Sequence, residues 1–213
     1  MTDSATPAEG VIQFAYDLQT PDTAPLPEQT FATLNGWRSV LRELGLLGQT
    51  SERYGGLGFG NLSVRDTAHP AEFVITASQT SGEDRLSQDD LVRVTHCNLG
   101  RFWVDALGTQ PPSSETITHA MIYAADPEIG WIFHCHSPEI WQRAEALALP
   151  CTPDNVGYGS PAMTAAVAHV LRRHPTRPLL FVTLGHEDGV FACAASAKDA
   201  GSLLVSTLAA ARS

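Results

Sequence analysis

The chain has 213 residues, 43% of them hydrophobic and 17% charged, a balance that supports a buried core rather than a disordered chain. Asp and Glu number 23 against 13 Lys and Arg, and the resulting charge of -10 disfavours polyanionic partners, nucleic acid and anionic membrane surfaces alike. No stretch approaches the roughly 20 apolar residues of a membrane span, and the opening MTDSATPAEG lacks the basic start and apolar run of a secretory signal, so a cytoplasmic location is expected.

Residues 1–27 carry Pro7, Pro21, Pro25 and Pro27 and no sustained period. They are expected to form an N-terminal arm, loosely held or folded as a short helix around residues 11–18. From Glu28 to the end the chain reads as one domain. Phe31, Leu34, Trp37, Val40, Leu41 and Leu44 recur at helical steps until Gly45 and Gly48 stop them. A glycine-rich turn over 54–60 leads into two short strands, 61–64 and 72–76. A polar loop over 80–84 and a short turn or helix over 87–92 follow. Residues 99–107 read as a strand followed by a loop. Pro111 and Pro112 open a helix that runs to about residue 125, with Ile117, Ala120, Met121 and Ala124 on its apolar face. Then come a buried strand (130–136), a helix (138–147), a second helix (161–173), two apolar strands (178–184 and 189–194) and a closing helix (197–211). Helices and strands mix throughout, with no repeat and no linker, so the expectation is a single α/β or α+β domain.

The four cysteines, Cys97, Cys135, Cys151 and Cys193, form no CxxC pair. In a reducing compartment they are expected to be free thiols, mostly buried.

The residues richest in chemistry are His134, Cys135 and His136. Residues i and i+2 of a strand share a face, so the two imidazoles stand side by side and Cys135 points away. Neutral imidazole is a common zinc ligand, and His186, at a strand end after Gly185, is the best candidate for a third. Three histidines with an open position describe a catalytic rather than a structural zinc site. The competing reading is two unrelated histidines. An HxH pair also opens the ligand set of cupins, but that fold needs many regular strands where this chain has at least four helical stretches. His69, His96, His169 and His174 read as surface residues.

Pro112-Ser113-Ser114-Glu115 stands at a helix start, where free N–H groups and the positive dipole end suit an anion. Simple serine capping explains it equally. His119 lies four residues on, on the same helix face as Glu115. The glycine-rich turn has neither GK[ST] nor a strand-to-helix setting, so it is no phosphate-cradling P-loop. Ser160 lacks the GxSxG pattern of a nucleophile elbow, and Cys193 sits in an apolar run.

Gly60-Asn61-Leu62-Ser63, Ile75-Thr76 leading to Ser81-Gly82, PSSE with His119, HCHS, and Gly185-His186 before Gly189 occur in an order that resembles the class II aldolase/adducin family. The resemblance runs from about residue 28 to the C-terminus. It implies a central, mainly antiparallel sheet flanked by helices. It implies zinc, or another divalent metal, on His134, His136 and His186, with Glu115 as catalytic acid/base that also approaches the metal when substrate is absent. It implies a substrate phosphate held by Gly60, Asn61, Ser81, Gly82, Ser113 and Ser114, and a homotetramer with sites between subunits. Three departures stand out. Segment 76–82 is longer than the family's usual form, so either Thr76 or Ser81 faces the substrate. Glu187 and Asp188 follow the third histidine. No tyrosine follows Tyr158, which leaves the leaving-group proton donor unidentified.

The leading expectation is therefore a zinc-dependent carbon–carbon lyase of aldolase type. Its substrate would be a small hydroxy-carbonyl compound, phosphorylated or not, reacting through a metal-stabilised enediolate. Sugar-phosphate dehydration or epimerisation in the same family would use the same residues. A non-catalytic, adducin-like association module is the third reading, and it has no need of the histidines or Glu115.

Overall fold

The two faces of one strand, WIFHCH, set the architecture. In the computed structural model, which describes residues 10–213, this strand lies inside a nine-stranded sheet with helices on both sides. The chain runs β1 (Ala15–Gln19), α1 (Glu28–Glu43), β2 (Gly48–Gln49), β3 (Gly58–Phe59), β4 (Asn61–Arg65), β5 (Phe73–Thr76), β6 (Leu91–Asn98) and β7 (Trp103–Leu107). It continues through α2 (Thr116–Ala125), β8 (Trp131–His136), α3 (Pro138–Gln142), β9 (Cys151–Thr152), α4 (Pro161–Arg173), β10 (Leu179–Thr183), β11 (Gly189–Ala194) and α5 (Ala197–Arg212). The sheet order is β1-β7-β6-β5-β4-β8-β11-β10-β9, with β2 and β3 as a separate small pair. Pairing is antiparallel except at the two edges, where β1 and β9 add parallel to their neighbours. The fold is thus the expected central, mainly antiparallel sheet between helices.

Alternation along the strands divides the core in two. Phe133 and Cys135 of β8, Leu62 and Val64 of β4, and Val190 and Ala192 of β11 pack with Leu34 and Leu41 of α1, Ile140 of α3 and Leu204 and Leu208 of α5. Ile132, Phe191, Phe181 and Ile75 pack on the other face with Ile117 and Ile122 of α2 and Val167 and Leu171 of α4. Leu34 and Leu41 are completely buried, worth about 2 kcal/mol each in removed apolar surface. Gly45 ends α1 in the left-handed conformation (φ 73°), and Leu46 N–H to Leu41 C=O with Gly45 N–H to Arg42 C=O completes a Schellman cap. Ser137, Ser160 and Ser196 cap α3, α4 and α5 by accepting N–H bonds three residues on.

Four expectations need correction. The helix expected over 138–147 is α3 alone, ending at Gln142 with turns after it. The part of the N-terminal arm that is described contains no helix around residues 11–18; residues 15–19 form a sheet strand. Phe14, Tyr16 and Leu18 alternate and pack onto the second core, a period of two that the prolines further along obscure. Residues 1–9 of that arm lie outside the described residues. The strand expected over 99–107 is β7 alone, and residues 91–98, read as a turn or helix at their start, form the longest strand of the sheet. The helix expected from Pro111 begins at Thr116, because Pro112 is bridged to Ala77 and Ser78 N–H donates to Pro111 C=O. All four cysteines are free; Cys135 and Cys193 are buried, while Cys97 and Cys151 are half-buried.

Candidate functional site

β8 carries His134 and His136 to the sheet face opposite Phe133 and Cys135, and both imidazoles are fully buried. In the ladder, Asn61 of β4 stands opposite His134 on one side and Phe191 of β11 on the other; Gly189 stands opposite His136. His186 arrives from the turn between β10 and β11, held by its N–H to Thr183 C=O. A Cβ on Gly185 would run into the Val156 backbone, so only glycine lets this turn approach so closely. The potential ligand atoms of His134, His136 and His186 all lie within 4.8 Å of one another.

The nitrogen geometry tests whether this set suits a metal. His134 Nδ1 lies 3.3 Å from the Val190 carbonyl, which takes its N–H and leaves the Nε2 lone pair facing the site. His136 Nε2 is 3.2 Å from His134 Nε2. Two imidazoles on a tetrahedral zinc ion, each about 2.05 Å from it, stand about 3.3 Å apart. Burial, followed by the neighbouring imidazoles, holds the pKa of both histidines well below the usual value, so both are neutral and able to ligate at physiological pH. The residues fit a divalent ion.

Glu115 is the N-cap of α2, where its C=O accepts the His119 N–H, and it is only 2% exposed. Its Oε1 lies 3.3 Å from His186 Nδ1. The serines before it shape this turn: Ser113 C=O accepts from the Thr116 N–H and hydroxyl, and Ser113 Oγ lies 3.4 Å from the Glu115 N–H. One turn on, His119 is fully buried, its Nδ1 2.7 Å from Ser63 Oγ, which in turn lies 2.8 Å from Tyr123 Oη. Burial alone pushes the His119 pKa down to about 3.

Beside this cluster is a small recess lined by Gly58, Gly60, Asn61, Ser81, Ser113 and Ser114 together with the 77–80 turn and Gly10. Five of the six residues expected at an anion site thus share one recess. Gly82 does not line it; its Cα faces the Gln49 side chain and its C=O accepts from Arg42. Between the two alternatives, Ser81 lines the recess while the Thr76 hydroxyl faces the Leu62 N–H at 3.3 Å. Gly60 has φ 78°, and a Cβ there would press into Leu47 and the His134 carbonyl. Behind the turn, the buried Arg38 donates to the carbonyls of Thr80 (2.7 Å), Ser81 (3.0 Å) and Asp84 (3.4 Å).

Several aromatic partners of the histidines lie outside the motifs. Phe191 stacks on His134 at 4.2 Å, Tyr158 stacks on His186 at 4.7 Å, and Tyr54 meets His136 edge-on at 4.8 Å. Tyr54 Oη donates to Asp188 Oδ2 at 2.6 Å, and burial followed by this bond raises its pKa. Of the two acids after His186, Asp188 is therefore the buried, engaged one and Glu187 is exposed. Tyr158 exchanges hydrogen bonds with the Val11 N–H and C=O, tying the N-terminal segment to the site. Only the position of Asp188 beside His186 signalled any of this in the sequence.

The sequence profile of the class II aldolase and adducin N-terminal domain matches residues 50–213. The chain belongs to the class II aldolase/adducin family. Its fold is shared by L-fuculose-1-phosphate aldolase from Thermus thermophilus, at 19% identity and TM-score 0.63, over 87% of this chain and 92% of that one. A second L-fuculose 1-phosphate aldolase matches at 19% identity and TM-score 0.67, over 89% and 86% of the two chains. A sugar-phosphate aldolase from Thermotoga maritima matches at 17% identity and TM-score 0.63, over 86% and 92%. At these identities the likeness is one of fold. Among the described residues, no helix is long and apolar enough to cross a membrane.

Proposed function

We propose that this chain is a metal-dependent aldehyde-lyase that breaks a carbon–carbon bond in a small hydroxy-carbonyl compound. His134, His136 and His186 would hold the divalent ion, zinc by preference of three imidazoles, and Glu115 would be the catalytic acid/base. The observation that carries this reading is a buried carboxylate 3.3 Å from one of three converging imidazoles, two of them 3.2 Å apart and neutral. An ion there supplies Lewis-acid stabilisation of charge developing on a substrate oxygen.

The chain's own residues do the rest. Glu115, 2% exposed, moves the proton at the carbon beside the carbonyl. Its place at the N-terminus of α2 sets it at the positive end of the helix dipole. Asn61, Ser81, Ser113 and Ser114 orient the far end of the substrate. Val190, Tyr158 and Phe191 fix the imidazole planes.

The test is product analysis of the metal-loaded protein on a panel of small hydroxy-carbonyl compounds. Appearance of two carbonyl fragments, abolished by chelation and restored by zinc, is expected. A purified protein that neither binds a divalent metal nor gains thermal stability from it would reject the reading in favour of a non-catalytic module.

A further inference from the structure

We infer that Tyr54 and Asp188 are positioning residues of the metal centre. The hydrogen bond between them, steadied by Arg53, sets His186 against His136 and so governs how tightly the three imidazoles hold an ion. The inference rests on the metal-binding part of the proposed function and on no step of its chemistry.

Tyr54 and Asp188 stand 134 residues apart in the chain, and both take left-handed backbone conformations, φ 49° and φ 61°. Gly55 and Gly56 continue the left-handed run from Tyr54, at φ 68° and 82°, so the chain turns sharply over 54–56. Glycine does this freely; tyrosine does it at a steric cost that its surroundings must offset. The contacts that the turn delivers supply the offset. The Tyr54 ring meets His136 edge-on at 4.8 Å and Phe59 edge-on at 5.1 Å. Its hydroxyl donates to Asp188 Oδ2 at 2.6 Å, the short distance of an O–H on a carboxylate.

Asp188 faces two ways. Its carboxylate accepts from Tyr54, while its backbone C=O accepts the N–H of Ser137, the residue after His136, at 2.9 Å. It also lies in the turn that carries His186, closed by the Gly189 N–H on the His186 C=O. Asp188 therefore links the segments that bear His136 and His186. Arg53 completes the clamp. Its Nη1 donates to the Gly45 C=O at 2.8 Å, just past α1. Its Nη2 donates to the Tyr54 hydroxyl at 2.8 Å and to the His136 C=O at 3.3 Å. The guanidinium covers the Phe59 ring at 4.1 Å and stands 3.9 Å from Asp188 Oδ2. The Tyr54 hydroxyl thus accepts from a cation and donates to an anion, which leaves its proton one direction to point.

The test is zinc affinity, read by competition with a chromophoric chelator, in the wild type, Tyr54→Phe, Asp188→Asn and the double variant. Tyr54→Phe keeps the ring and removes the bond, and should weaken zinc binding by about tenfold or more. Asp188→Asn keeps the shape and tolerates left-handed φ but loses the charge, and should weaken it in the same direction. Because both substitutions act on one bond, the double variant should be little worse than Tyr54→Phe alone. Cobalt in place of zinc gives a spectroscopic check: its visible bands should shift in Tyr54→Phe as the ligand geometry changes. Losses that multiply in the double variant would overturn the inference. So would unchanged zinc affinity and cobalt bands with lowered thermal stability, which would make the bond a packing feature of the 54–56 turn. A wild type that binds no zinc would overturn it together with the lyase reading. A protein with the expected order of affinities that cleaves no hydroxy-carbonyl compound would sink the lyase reading alone.

Discussion

Glu115 Oε1 stands 3.3 Å from His186 Nδ1, joining the start of α2 to the turn between β10 and β11. Gln in place of Glu keeps the shape of the side chain and removes its proton-accepting charge. Glu115→Gln should therefore retain metal, measured by elemental analysis, while turnover falls by about two to four orders of magnitude. His134→Ala should instead lose the metal itself. Full turnover in the glutamine variant would exclude Glu115 as the acid/base.

His119 makes stability depend on pH in a way the fold dictates. Burial lowers its pKa to about 3. At pH values above about 6.5 it is neutral in both folded and unfolded states and contributes nothing. As pH falls below that value, the unfolded chain binds a proton at this position that the folded chain refuses, so His119 alone takes away about 1.4 kcal/mol of stability per pH unit, down towards pH 3, and His134 and His136, also held neutral by burial, add to the slope of the metal-free protein. Urea unfolding of the metal-free protein between pH 7 and pH 5 reads this slope. His119→Phe should lower stability at pH 7, because Ser63 loses a partner, yet should flatten the slope by about one proton. An unchanged slope in that variant would show that His119 is not the group responsible.

Much of this site was legible because its chemistry lies on regular elements. A period of two put His134 and His136 on one face and Cys135 on the other, and a glycine before His186 announced a close approach. Most of the strands and helices after residue 110 fall within a few residues of their expected bounds, since each is a compact apolar run between turns. What escaped was set by distant packing. β1 is an edge strand whose partner lies far along the chain, and its pattern, Phe14, Tyr16, Leu18, is too short to stand out among prolines. Tyr54 and Tyr158 come from irregular segments, and nothing local ties them to His136 or His186. Gly82 looked equivalent to Gly60 in the motif order, but the turn over 77–81 displaces it from the recess.

Arg38 holds that turn from below. Its guanidinium is 2% exposed and its pKa is lowered to about 10, chiefly by burial and then by Arg42, so it stays protonated at neutral pH. Arg38→Met leaves the carbonyls of Thr80, Ser81 and Asp84 without this donor and should destabilise the protein by about 3 kcal/mol. Arg38→Lys keeps the charge but not the planar fork, so it should recover only part of the loss. Chemical denaturation of the three proteins decides the point; equal stability of the methionine variant would show the turn to be self-supporting.

Gly185 offers the sharpest separation of fold from site. A Cβ there would overlap the Val156 backbone, which cannot swing away as a side-chain end could. The helices and the central strands do not depend on that contact: α1, α5 and the Phe133 core lie on the far face of the sheet. Gly185→Ala should therefore fold with a near-native circular dichroism spectrum while the 183–189 turn shifts outward and carries His186 with it. Zinc affinity should fall by about tenfold or more, the usual scale when a ligand's support is lost. Gly36→Ala supplies the control, since a Cβ at that glycine of α1 meets nothing within 4 Å and the helix gains propensity. Should Gly185→Ala bind zinc as tightly as the wild type, the approach of this turn to Val156 is a packing feature with no bearing on the position of His186.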